Sequence, residues 1–113
     1  MELPTINRCA VVLKPTEAYF EWARRSPEDD PNSTQHELHW ENSVYLIPDM
    51  ESGFEAWLKR NYTVMFEQEL DAWCTDESLW PKDRSFKTFK KFFKISFHSM
   101  VFDMCNNRIM RDD

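Results

Sequence analysis

A chain of 113 residues with nine phenylalanines, five tryptophans and three tyrosines but a single glycine has few ways to fold. Each aromatic ring buries a large apolar area and demands specific packing geometry, so this complement specifies a dense core. With Gly53 as the lone glycine, almost no position can take φ > 0 at low cost. That excludes the glycine-built phosphate loops and dinucleotide turns, and with them several large enzyme classes.

The length fits one domain, read here as 1–113. A chain of this size can bury roughly 65% of its unfolded surface, enough to be stable without metals or disulfides. Charged residues at 30% and hydrophobic residues at 42% mark a globular chain rather than a disordered one. No apolar run approaches the ~20 residues needed to span a bilayer. The opening Met-Glu-Leu-Pro-Thr lacks the basic start and apolar core of a secretion signal. Cys9, Cys74 and Cys105 are odd in number and far apart, which fits reduced core thiols better than a disulfide framework. The expected location is the cytoplasm.

The net charge of −6 is unevenly spread. Residues 1–81 carry six Lys/Arg against sixteen Asp/Glu, whereas residues 82–113 carry eight against four. The acidic part weighs against non-specific nucleic-acid binding, and the basic part suits an acidic partner.

Patterning gives the order of elements. Ile6–Leu13 ends in a continuous β-branched apolar run and reads as a buried strand. Pro15 stops it, and Thr16 is placed to cap a helix holding Tyr19, Phe20, Trp22 and Ala23. Residues 26–34 form a polar, proline-punctuated loop, and Gln35–Trp40 fits either a short strand or a helical turn. Ser43–Ile47 is a second strand closed by Pro48. From Ser52 to about Cys74, Phe54, Trp57, Leu58, Tyr62, Met65, Phe66, Leu70 and Trp73 recur at helical steps, with Ser52 and Glu55 at capping-box spacing. Trp80 is expected to plug the core. Ser85 starts a short helix with Phe86, Phe89 and Phe93, followed by a central strand over Ile95–Met104 and a polar tail. The order β-α-β-α-α-β describes an α+β two-layer sandwich, a three-stranded sheet with helices on one face. A ferredoxin-like variant is compatible with it.

The stretches Ile6–Leu13 (Ile-Asn-Arg-Cys-Ala-Val-Val-Leu), Val44–Pro48 (Val-Tyr-Leu-Ile-Pro), Phe66-Glu67-x-Glu69-Leu70-x-x-Trp73, Trp80-Pro81 and Phe89-x-x-x-Phe93 are packing motifs spread along most of the chain. On these the chain resembles a family of small uncharacterised bacterial proteins with no established activity. The resemblance implies a bacterial origin and no catalysis.

Several groups qualify as candidate sites. Lys87, Lys90, Lys91 and Lys94 recur at i, i+3, i+4 and i+7 and form a stripe opposite the phenylalanines, suited to phosphate, nucleic acid or an acidic protein. A solvated helix face is the simpler reading, and no aromatic ladder for stacking bases accompanies it. Glu67, Glu69 and Asp71 form an acidic group, in which Glu67 and Asp71 share a face and could hold a divalent ion or tune a proton-transfer group. His36 and His39 are a weak metal pair without a Cys-x-x-Cys or His-Glu-x-x-His companion. His98 is followed by Ser99, but adjacent strand residues point to opposite faces, so the two cannot act as base and nucleophile. No motif calls for a cofactor or a metal.

The favoured expectation is a non-enzymatic protein-interaction or regulatory module that contacts a protein partner or itself, with Trp22, Trp40 and Trp57 as the aromatic anchors to watch. The alternatives are a small enzyme or metal-dependent protein using Glu67, Asp71, His98 or the His36/His39 pair, and phosphate or nucleic-acid binding through the lysine stripe.

Overall fold

The computed structural model describes residues 3–25 and 41–112. Its elements are β1 (Arg8–Pro15), α1 (Glu17–Arg25), β2 (Ser43–Pro48), α2 (Phe54–Trp73), a 3-10 turn (Glu77–Leu79), α3 (Phe86–Phe92) and β3 (Phe93–His98). The apolar run Cys-Ala-Val-Val-Leu makes β1 the middle strand. Both neighbours lie antiparallel to it, in the order β2-β1-β3. Residues of period two then sort onto two faces. Cys9, Val11, Leu13 and Pro15 are buried on one, flanked by Tyr45 and Ile47 of β2 and by Phe93, Ile95 and Phe97 of β3. The helices pack against this face in one core that includes Tyr19, Leu58, Met65, Phe66, Leu70, Phe89 and Phe92. The fold is α+β, with the helices and strands in the order read from the sequence.

Aromatic rings dominate this layer. Phe66 meets Phe93 edge to face at 6.0 Å, Tyr19 meets Phe92 likewise at 6.2 Å, and Phe54 stacks on Phe97 at 4.6 Å. Each such pair contributes about 0.5–1.5 kcal/mol beyond the area it buries. Trp80 is buried as expected, and its indole Nε1 donates to the Cys74 carbonyl at 2.8 Å, closing the end of α2.

Thr16 precedes α1; its carbonyl accepts from Phe20 N–H at 3.2 Å, and its hydroxyl, 2.6 Å from the Lys91 carbonyl, ties α1 to α3. Three local expectations are corrected. The Ser52–Glu55 capping box does not form, because the N-cap of α2 is Gly53, at φ 84° and ψ 16°, and Ser52 falls one position too early. Glu55 instead accepts from Lys90 Nζ at 2.8 Å. The last strand begins at Phe93 and stops at His98, as an edge strand and not a central one. Beyond it Met100, Phe102 and Met104 are exposed, held by a single bridge between Thr5 and Phe102 and by Ile6 N–H donating to the Val101 carbonyl at 2.9 Å. Their apolar character belongs to a surface segment, not to a strand buried on both faces. Finally, Cys9 and Cys74 are buried, but Cys105 is exposed.

No atom lies within 4 Å of the place a Cβ would take at Gly53, so its positive φ is the only reason for glycine there. Gly53→Ala is expected to cost about 1 kcal/mol in chemical denaturation, and Gly53→Asn less, because asparagine tolerates the left-handed region. Equal losses for both would mean that φ is not the constraint.

Candidate functional site

The second face of the sheet follows from the same alternation. It presents Arg8, Ala10, Val12 and Lys14 from β1, Val44, Leu46 and Pro48 from β2, and Lys94, Ser96 and His98 from β3. The core that joins the described helices to the sheet lies on the opposite side. Val44 is 63% exposed and Leu46 48%, both large departures for aliphatic strand residues. Ala10 is buried even here, since its small side chain sits between its cross-strand neighbours Leu46 and His98. The result is an apolar centre of Ala10, Val12, Val44 and Leu46 with cations at its margins. Lys14 pairs directly across from Lys94, a like-charge arrangement that destabilises a sheet. Among the described residues neither lysine, nor Arg8, makes an ion pair, and no strand residue on this face is acidic.

A second feature lies between β2 and α2. Ser43 and Tyr45, two apart in β2, point together toward α2 and meet Glu69, which is only 4% exposed. Ser43 Oγ donates to Glu69 Oε1 at 2.9 Å, and the Tyr45 hydroxyl donates to Oε2 at 2.5 Å. Tyr19 reaches the same residue from α1, donating to its backbone carbonyl at 2.9 Å. Ser43, Val44, Tyr45, Val64, Gln68 and Glu69 line an open groove of about 370 Å³, in which Glu69 is the only buried member. Burial, then the negative charge of Glu69, hold the Tyr19 phenol well above the ordinary tyrosine value. Tyr45 is raised as strongly, by burial first, then by its hydrogen bond to Glu69 and by the charges of Glu69 and Tyr19.

Glu69 was visible in the sequence only as part of an acidic run. Its position four after Met65 and three after Phe66 places it on the buried stripe of α2, a signal that the run Glu-Gln-Glu-Leu-Asp conceals. Glu67 and Asp71 lie on the exposed side of the helix, and His98 lies on the far side of the sheet. The structure does not bring these three together. His98 Nε2 is 3.0 Å from Ser96 Oγ, two residues away on the same exposed face, not from Ser99. Among the described residues that ring has no carboxylate to orient it, and no group of three or more His, Cys, Asp or Glu could hold a metal ion.

The lysine stripe is split. α3 ends at Phe92, so Lys87, Lys90 and Lys91 belong to the helix while Lys94 belongs to β3 and joins the open sheet face. Lys90 is engaged by Glu55 and lies 5.3 Å above the Phe86 ring. Trp22 and Trp57 are half-buried and pack against the core, and Trp22 Nε1 donates to the Leu79 carbonyl at 3.0 Å. The exposed large apolar side chains are instead Val44, Leu46, Val64 and those of the two chain ends. Trp40, His36 and His39 lie outside the described residues. No described helix is long and apolar enough to cross a membrane. Comparison with protein families, curated proteins and solved structures finds no match to the chain.

The two shielded phenols give an alkaline limit. A folded-state value raised above the unfolded one stabilises the fold below the unfolded tyrosine value of about 10, and that contribution is lost as pH rises beyond it. In a phenolate absorbance titration, Tyr19 and Tyr45 should ionise only as the protein unfolds. Tyr45→Phe should remove one of these late transitions, and ionisation of both in the folded state near the ordinary value would contradict the burial described.

Proposed function

We propose that this chain is a non-enzymatic cytoplasmic interaction module whose open sheet face docks an acidic, amphipathic segment of a partner protein. One observation carries the reading: an apolar centre on which Val44 and Leu46 stand exposed beside Val12, bounded by cations that make no ion pair among the described residues. Exposed apolar area ringed by polar groups is the usual mark of a contact surface. The facing lysines, Lys14 and Lys94, favour a carboxylate-bearing occupant, which would relieve their repulsion. The same charges disfavour a second copy of this face, because basic margins would oppose basic margins. Nucleic acid is disfavoured as well, since none of the three strands places a Phe, Tyr or Trp on this face to stack bases. Three free cysteines fit a reducing compartment.

The test is a nuclear magnetic resonance titration with a helical peptide carrying leucines on one side and glutamates on the other. Shifts are expected at Ala10, Val12, Leu46 and Ser96, and a lysine-for-glutamate version of the peptide should not bind. Lys94→Glu separates stability from recognition: it should stabilise the sheet by about 0.2–1 kcal/mol by facing Lys14 with an opposite charge. The same variant should weaken peptide binding about tenfold. Leu46→Asp should abolish binding without unfolding the protein. Equal binding of both peptides, or shifts confined to other surfaces, would overturn the proposal.

A further inference from the structure

The groove between β2 and α2 is a separate matter from the open face, with which it shares only Val44. Glu69 is a buried side chain with hydroxyl donors on both oxygens and, among the described residues, no ion pair. A carboxylate taken out of water without a cation is costly, and its usual remedy is a paired positive charge. The described lysines and arginines do not supply one, and the sequence between residues 26 and 40 contains neither residue type. Ser43 and Tyr45 use one lone-pair site on each oxygen, and a carboxylate offers about four, so acceptor capacity remains.

From this geometry we infer that the groove is a binding site for an aliphatic primary ammonium group, with Glu69 as counter-ion and Val44 and Val64 as walls for the methylene stem. An ammonium has three N–H donors to spend on the carboxylate and on the hydroxyl oxygens of Ser43 and Tyr45. A flexible alkyl chain with a charged tip buries its stem along apolar surface while the tip finds its partner. The groove's volume of about 370 Å³ lies in the range of small-ligand sites. A divalent metal fits poorly. It would find a single carboxylate and two hydroxyls already donating to it, where calcium takes six or more oxygens. The phenol of Tyr45, kept protonated, serves as a fixed donor that holds Oε2 in place for the incoming charge.

The experiment uses the full chain and n-butylammonium as probe, followed by amide and methyl resonances, with n-butanol as the neutral control. Expected are saturable shifts at Ser43–Tyr45 and Val64–Glu69 with a dissociation constant on the order of 1 mM, and none with n-butanol. Glu69→Gln should weaken binding at least tenfold. Because that substitution touches a buried network, Val64→Lys provides a second reading from a position 74% exposed: its own ammonium should occupy the groove and exclude the probe while the fold is retained. Two further arms identify the source. Nα-acetyl-lysine methylamide binding more tightly than n-butylammonium points to a lysine of an extended polypeptide, and putrescine binding more tightly points to a free polyamine. Identical shifts with n-butanol, or no saturable shift with any amine, would overturn the inference. Neither result bears on the sheet face, since Val64→Lys leaves Leu46 and Lys94 untouched.

Discussion

The structure depends on one contact: the layer of rings from Tyr19, Phe66, Phe89 and Phe93 laid against Cys9, Val11 and Leu13 of the middle strand. A three-stranded sheet has only one strand without a free edge, so β1 must carry most of the apolar burial on behalf of the sheet. Small and β-branched residues leave room above β1, and large rings from three different helices fill it. Tyr19 shows how tightly the layer is specified. It is fully buried, touches rings of α1, α3 and β3, and spends its hydroxyl on the backbone of α2. Such a residue fixes the mutual positions of four elements, because a buried hydroxyl without its acceptor would cost more than the ring gains by shifting.

Sequence periodicity revealed the elements because both relevant periods were clean. The helical stripe from Phe54 to Trp73 and the β-branched run in β1 each survive into the structure with boundaries moved by about two residues. Periodicity failed where two different environments followed one another without punctuation. Phe93 continues the spacing of Phe86 and Phe89, so it reads as helix, yet it is the first residue of β3. For the same reason Lys94 reads as a fourth member of a helical stripe. Composition in turn pointed to Trp22, Trp40 and Trp57 as surplus to the core, whereas Trp22 and Trp57 pack half-buried against it and the Trp22 indole N–H is spent on the Leu79 carbonyl. The apolar surface that remains on the strands, Val44 and Leu46, is aliphatic, and an aliphatic strand residue gives no sign in sequence of whether a second layer covers it.

Glu69 illustrates the opposite difficulty. A carboxylate on a buried stripe conflicts with local patterning, and such conflicts tend to mark sites that do something besides pack. Its two hydroxyl donors come from one strand and a third hydroxyl comes from another helix. Together they set the rotation of α2 against β2, since turning the helix would strand a charge as well as a hydrogen bond. The residue therefore adds a polar register mark to the interface between sheet and helix in a core otherwise built from apolar contacts.

The junction at Phe93 has a mechanical meaning. Because α3 passes into β3 with no intervening residue, the two elements form a bracket with no hinge, anchored at its corner by a ring in the centre of the core. An edge strand ordinarily frays on its own, but here peeling β3 away from β1 would drag the Phe93 ring out of the core and pull on the last turn of α3. Fluctuations of the sheet edge and of the helix should therefore occur as one cooperative event, protecting Lys94, Ser96 and His98 against the local opening that an exposed edge normally suffers.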